Sequence, residues 1–392
     1  MPHPPPKRPT LDWPDLAGAD APSLPSFLDL TYKQTTTSGR SAIYHALTLA
    51  APKPGTAVLV PTYHCPTMIA PVALLGLEPL FYSVDGNGLP NLSSISDADA
   101  RRSACILAPH YFGITQSFAR LRAWCDATET LLIEDCAHAF YGMAGERQVG
   151  AWGDYATTSL TKFFPVLEGG MLGSSTRPVP QLSLTPQPIK AELKAAFDIA
   201  HLATEHCRLK GLGALIRLAR ISRGRAPHNE PCPSPTPGLA TQASTSVASA
   251  IRNCDMTRVT LEPLRSTRWL VKQHAQQRAC QLRQRHFTHY AEGLSNLPGT
   301  HPLHTALPTQ TAPYAFPLWV DDAERIYHTL RTAGVPVYRW DRHWPGTPEK
   351  LNDHGRLWSK HVLQLLTHQT LTEFEIDLSL EMIYNALQNR PA

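Results

Sequence analysis

The chain lacks long hydrophobic runs. Its best one, Ala70–Tyr82, is short and interrupted by Gly76 and Glu78, so no membrane-spanning segment is expected. The first 33 residues carry no apolar core of the kind a secretory leader needs. The eight cysteines include no pair at CxxC spacing, which speaks against a zinc ribbon or a disulfide framework and for reduced thiols; a cytoplasmic protein is expected. Charged residues are scarce, at 17% against a typical share of about 25%. The formal net charge of +4 is too small to point to nucleic acid as a partner. Missing too are a complete G-x-G-x-x-G, an HxxxH pair, and the Ser-Asp-Asn and Lys-Thr-Gly tripeptides that accompany Ser-x-x-Lys in penicillin-binding acyl-enzymes.

What is present is regular alternation. At 392 residues the chain is long enough for two domains. Residues 1–36 are rich in Pro and Thr and read as an arm. Helical spacing over Ser41–Leu49 and Ile69–Leu75, and again over Phe118–Asp126, alternates with apolar runs at Ala57–Val60, Leu80–Val84, Ala104–Ala108 and Leu131–Ile133. Strands that are apolar on both faces and separated by helices predict an α/β domain with a mainly parallel sheet. Ile189–Ile221 reads as helix, Ala226–Gly238 with its five prolines as a linker or exposed loop, and Val259–Leu294 as a long helical stretch with a break near Pro263. Phe316–Val320 and Val335–Tyr338 read as strands around a helix at Ala323–Ala333. The division predicted is an arm (1–36), a large domain (37–262) with a helical and Pro-rich insertion at about 180–250, and a small C-terminal α/β domain (263–392).

Four segments of the large domain carry candidate chemistry. Ser159-Leu160-Thr161-Lys162 precedes Phe163, Phe164 and Pro165, and a lysine in apolar surroundings loses its proton more readily and can form a Schiff base. Taken alone, a solvated loop lysine is the commoner case. The apolar run Leu131–Ile133 leads directly into Glu134, Asp135, Cys136, Ala137 and His138. Ligands of open parallel sheets bind at the carboxyl ends of strands, and a carboxylate there can keep a ring nitrogen protonated. Asp135 could equally be a helix cap and His138 a satisfied core histidine. Ser38-Gly39-Arg40-Ser41 opens a helix and offers an anion cradle, though a plain helix start explains it as well. Tyr63 and His64, after Pro61, have flat side chains that could stack on a ring, or could simply belong to a Pro-rich loop.

In order and spacing these segments resemble the fold-type-I pyridoxal phosphate enzymes, and within them the DegT/StrS type of sugar aminotransferase. The resemblance rests on Ser38–Ala42, Glu134–Ala139, Gly153-Asp154, Lys162 and Glu168-Gly169-Gly170, with support from Pro109–Gly113 and Leu365–Gln369. It is strong over about 35–175 and loose from about 295 onward. It implies pyridoxal 5'-phosphate as cofactor, Lys162 as the Schiff-base lysine and proton shuttle, Asp135 on the pyridinium nitrogen and His138 on the ring hydroxyl. Ser159 with Gly39, Arg40 and Ser41 would hold the phosphate, and Tyr63 or His64 would stack on the ring. An amino donor such as L-glutamate, a nucleotide-linked keto sugar and a homodimer are implied likewise. A dehydratase or other lyase, or a silent cofactor-binding regulator or scaffold, are the alternatives, and the presence of Lys162 with Asp135 favours catalysis.

Three departures from the family pattern stand out. Arg40 occupies the place of a small hydroxyl residue, so that one phosphate contact is lost or becomes a cation. The stretch from Gly153 to Lys162 is short, leaving the phosphate-binding hydroxyl open between Thr157, Thr158 and Ser159. The Gly-x-Asn-x-Arg tract has only Asn253 as a candidate. The basic run over 208–225 reads first as a helical insertion packed on the large domain. A membrane-surface helix and a patch for a sugar-nucleotide diphosphate are its other readings.

Overall fold

The computed structural model describes residues 4–18, 24–51, 53–212 and 246–388. Its larger sheet has seven strands in the order β1-β9-β8-β5-β4-β2-β3. These are β1 (Tyr32–Thr36), β2 (Ala57–Pro61), β3 (Glu78–Tyr82), β4 (Ser103–Pro109), β5 (Leu131–Asp135), β8 (Tyr155–Ser159) and β9 (Gly170–Ser174). A small hairpin of β6 (Met143–Ala144) and β7 (Arg147–Gln148) lies between β5 and β8. Strands β3, β2, β4, β5 and β8 run parallel, while β9 is antiparallel to both β8 and β1. The fold is thus the α/β, mainly parallel architecture expected.

Alternation along the parallel strands builds the core on both faces of the sheet. Val58 and Val60 of β2, Cys105 and Leu107 of β4 and Ile133 of β5 join one buried cluster; Leu59, Ile106, Ala108 and Leu132 join the other. The first cluster is closed by α1 (Gly39–Ala50) and α2 (Pro66–Leu74). Ser38 caps α1, its Oγ accepting the Ser41 N–H at 3.2 Å, and Ala42, Ile43, Ala46, Leu47 and Ala50 form the buried stripe. Two further helices, α3 (Asp97–Arg102) and α4 (Ala119–Thr128), complete the connections in this half.

The stretch read as an arm contributes β1, an edge strand paired along its whole length with β9. This pairing brings the chain very close to itself: a Cβ on Gly170 would lie 2.3 Å from the Ser38 carbonyl, so the glycine is required there. The helix expected over Ile189–Ile221 is observed as α5 (Ile189–Glu205). Arg208 pairs with Glu375, and Leu209 is buried. The rest of the basic run, 213–225, and the Pro-rich 226–238 lie outside the described residues. The long helical stretch is two helices, Arg265–Gln273 and Gln276–Gly293, interrupted at His274-Ala275 as well as ahead of Arg265.

The second sheet has four antiparallel strands in the order β10-β11-β13-β12: β10 (Thr300–Pro302), β11 (Ala315–Val320), β12 (Val337–Tyr338) and β13 (Val362–Leu366). Phe316 and Leu318 of β11 and Leu363 and Leu365 of β13 continue the second buried cluster of the large sheet, so one apolar core runs through both. No helix among the described residues is long and apolar enough to cross a membrane.

Candidate active site

The parallel strands deliver their carboxyl ends to one edge. There β5 ends at Asp135 and β8 at Ser159, with Asp135 opposite Thr157 in the ladder. A short 3-10 turn, Leu160–Lys162, follows β8 directly. Its lysine is partly accessible, as are Cys65, Ala137, Ser159, Tyr314 and Trp340. The start of α1 reaches the same edge: a Cβ on Gly39 would sit 3.2 Å from the Ser159 Cβ, so the glycine lets the helix start and the serine pack closely.

Lys162 and Asp135 interact electrostatically, and each is pushed toward its neutral form. Packing around the Lys162 amine lowers its pKa to about 8 against the opposing pull of Asp135. Burial likewise raises Asp135, although Lys162, the Ala137 N–H and the Thr157 hydroxyl pull it back in part. Both hydrogen bonds of Asp135, from Ala137 N at 3.0 Å and Thr157 Oγ1 at 3.2 Å, go to Oδ1. Its second oxygen remains available for a ring N–H.

His138 is buried, and burial, followed by the Lys162 charge, holds its pKa well below the usual imidazole value. The neutral ring has a defined tautomer. Its Nδ1 accepts the Phe112 N–H at 3.2 Å, so the proton resides on Nε2, which is a donor. The ring stacks on Tyr314 at 4.2 Å between centroids and lies 5.0 Å from Trp340. Tyr314 in turn has the Lys162 Nζ 5.2 Å from its centroid.

Of the three candidate hydroxyls, Thr157 is bound to Asp135 and Thr158 donates to the Cys136 carbonyl at 2.8 Å. Ser159 bonds Thr161 at 3.3 Å and abuts Gly39. The Ser41 hydroxyl is buried in a chain with Thr37 at 3.0 Å and Ser38 at 2.8 Å, which makes it a support of the turn. The Arg40 side chain turns away: its Nε and NH2 meet the carbonyl and carboxylate of Asp255. It therefore adds no cation to the cradle. Asn253 ends the helix Val247–Asn253, two residues before that Asp255.

Neither aromatic candidate has a face free to stack. Tyr63 is fully buried among Tyr111, Phe112, Trp340 and Trp358, and its hydroxyl accepts from Gln364 at 3.3 Å. The His64 ring is fixed at both nitrogens, by the Pro61 carbonyl at 2.9 Å and the Trp344 N–H at 3.0 Å. The Pro-rich loop thus packs these side chains inward. The residue after them, Cys65, is the partly accessible one and interacts electrostatically with Lys162.

Glu134 serves the scaffold. Its buried carboxylate accepts from His110 Nε2 at 2.9 Å and from the N–H groups of Gly150, Trp152 and Gly153. Burial raises its pKa, but these donors outweigh burial and the net shift is downward. His110, Glu134 and Cys136 could present ligand atoms within 4.8 Å of one another, yet the glutamate oxygens are already engaged by those donors. Glu168 is a second buried anchor, accepting from Arg258, Gln187 and the Leu264 N–H.

Tyr314, Trp340 and Cys65 escaped the sequence reading, as did Arg283 beneath Lys162. Arg283 had a visible signal: it falls on the stripe Cys280, Arg283, Phe287 and Tyr290 at helical spacing, where an apolar residue is the rule.

Comparison with known proteins agrees with this architecture. Residues 23–177 match the profile of the DegT/DnrJ/EryC1/StrS aminotransferase family. A GDP-perosamine synthase of Vibrio cholerae is 27% identical over 202 residues, which is 50% of this chain and 54% of the relative. The lipopolysaccharide biosynthesis protein RfbH of Salmonella typhimurium is 33% identical over 154 residues, covering 36% of this chain and 34% of the relative. The chain thus spans about half, or less, of the length of the curated relatives it matches. Among solved structures, Helicobacter pylori PseC, an aminotransferase involved in pseudoaminic acid biosynthesis, superposes with a TM-score of 0.61 at 13% identity, over 98% of each chain. NtdA of Bacillus subtilis, solved with bound cofactor PMP, gives 0.59 at 15% identity over 92% of this chain and 74% of that one. At such identities the likeness speaks for the fold. Over residues 23–177 the chain thus resembles the DegT/DnrJ/EryC1/StrS aminotransferase family.

Proposed function

We propose that this protein is a pyridoxal 5'-phosphate-dependent aminotransferase. It moves an amino group from L-glutamate onto a keto sugar carried on a nucleotide, in two half-reactions, and works as a homodimer. The observation that carries the reading is the convergence of a lysine of lowered pKa, a buried aspartate and a neutral histidine donor at one edge of the sheet, beside a helix start. The sugar is supported by relatives named for GDP-perosamine and for an amino-sugar nucleotide, and the donor by the family resemblance alone.

The donor set fits the cofactor. Asp135 Oδ2 would take the ring N–H, the His138 Nε2–H would meet the ring hydroxyl, and Ser159 with the first turn of α1 would receive the phosphate. When bound, the cofactor supplies an electron sink for the substrate carbon.

The chain's own residues supply the rest. With the Lys162 pKa near 8, about a tenth of the amines are neutral at pH 7, against fewer than one in about a thousand for an ordinary lysine. A neutral Nζ is nucleophilic toward a carbonyl carbon, and whenever it is not itself bound to that carbon its lone pair can accept a proton from the substrate carbon and return it one position away. Asp135 stays anionic once it faces a cation, because that charge offsets the desolvation that otherwise raises its pKa. His138 cannot compete for protons, since burial keeps it neutral.

The test is a single half-reaction. Protein loaded with pyridoxal phosphate and mixed with L-glutamate, without any sugar, should release about one 2-oxoglutarate per subunit and change its visible spectrum. No 2-oxoglutarate and an unchanged spectrum would overturn the aminotransferase reading.

A further inference from the structure

We infer that Arg283 is a positioning residue that sets Lys162 and Tyr314 in register through their backbones. The inference rests on the reading of Lys162 as the reactive amine. Arg283 is fully buried on the helix Gln276–Gly293. Its NH2 donates to the Lys162 carbonyl at 2.8 Å, its NH1 to the Pro313 carbonyl at 3.1 Å, and its Nε to Gln369 Oε1 at 3.0 Å. The guanidinium lies 4.5 Å from the centroid of the Phe163 ring. Among the described residues it meets no carboxylate.

A buried cation without an anion is an expensive way to fill space. An apolar side chain of similar volume would ordinarily serve packing as well or better. Burial draws this arginine's pKa down to about 10 against the opposing pull of Tyr141, Cys280 and Tyr314. What the guanidinium offers and an apolar chain cannot is a rigid fork with several donors in one plane. Here the fork joins three chain segments that are distant in sequence.

Two of these segments carry side chains that line the site. Lys162 presents its amine, and the residue after Pro313 is Tyr314, whose ring stacks on His138 and flanks the Lys162 Nζ. The third segment reinforces the clamp. Gln369 Nε2 donates to the Phe163 carbonyl at 2.7 Å, so Arg283 and Gln369 together hold two consecutive carbonyls of the lysine loop. The Pro313 carbonyl also accepts the Thr367 hydroxyl at 3.2 Å. One planar group therefore sets the distance from the lysine backbone to the tyrosine backbone. Misplacement of a reacting group by about 1 Å can cost on the order of a hundredfold in rate.

The experiment compares wild type with Arg283→Lys, Arg283→Met and Gln369→Leu in the cofactor-loaded, full-length protein. Three readouts are taken: the borohydride-fixed adduct on Lys162, the pH midpoint of the visible band of the bound cofactor, and kcat against KM for L-glutamate. The expected result for Arg283→Met is a kcat lower by at least about tenfold with KM within about threefold, and a shifted band midpoint, while the adduct stays on Lys162. Arg283→Lys, which keeps the charge but loses the fork, should recover only part of kcat. Gln369→Leu leaves the Arg283–Lys162 bond in place and should show a smaller loss of the same kind, which keeps the test open if Arg283→Met does not fold. Folded Arg283→Lys and Gln369→Leu proteins with wild-type kcat and band midpoint would overturn the inference. Wild-type protein without an adduct on Lys162 would instead overturn the reading of the site on which it rests.

Discussion

The two sheets do different work at the same place. The seven-stranded sheet presents the chemistry: Asp135, Ser159 and Lys162 stand at or just past the carboxyl ends of parallel neighbours, and Gly39 opens α1 beside them. The four-stranded antiparallel half presents almost no titratable chemistry there. Tyr314 immediately precedes β11, Trp340 follows β12 by two residues, and Gln369 lies just past β13. These are aromatic walls and amide clamps. Parallel strands aim all their carboxyl ends one way, so polar groups accumulate at that edge; antiparallel strands spread their ends over both. The division of labour follows from strand direction.

The strongest challenge to this comparison is Lys162→Ala. It should abolish turnover and cofactor attachment while leaving the circular dichroism spectrum unchanged; retained turnover would move the chemistry elsewhere. Next in size is Asp135→Asn, expected to reduce kcat/KM by about a hundredfold or more through loss of the charge on the ring nitrogen. It also sharpens the electrostatics. Asp135 raises the Lys162 pKa, so removing its charge should take the midpoint for reaction of apoprotein with pyridoxal phosphate below about 8, whereas an unchanged midpoint would disconnect the pair.

How much of this was legible depends on the half. The strands β2, β4 and β5 are built on apolar runs and end at Pro61, Pro109 and Asp135, so their pattern and punctuation agree. β8 and β9 were hidden because Thr157, Thr158 and Ser159 look like loop residues and Gly170 and Gly173 look like breakers. Buried, Thr158 is satisfied by the Cys136 carbonyl, and the glycines admit Ser38 and Phe27 at close range. Tyr63 and His64 were assigned by their flatness. What decided their placement was the aromatic cluster around Trp340 and Trp358 and the Trp344 N–H, nearly 300 residues away in sequence. β10 and β13 went unread because three-residue and five-residue strands in an irregular stretch leave little periodicity to find.

A smaller effect is expected for Ser159→Ala. Loss of one hydroxyl contact should weaken cofactor affinity by about tenfold, read by titration of the visible band, with kcat at saturating cofactor little changed. Unaltered affinity would assign the phosphate to another part of the edge. Smallest on catalysis, though not on stability, is Phe316→Ala in β11. The ring is fully buried against Phe287 and Tyr290, so the change should cost about 3–5 kcal/mol of folding free energy in a denaturant titration. Turnover per folded molecule at low temperature should stay near wild type, and a large loss there would break the division between the two halves.

The central claim is that Lys162 is the amine at the heart of this edge. Its most direct test is borohydride reduction of the protein with pyridoxal phosphate, followed by digestion and peptide mass mapping. The account predicts one cofactor mass, fixed on the peptide that contains Lys162. A cofactor mass on any other lysine, or none at all, would contradict it.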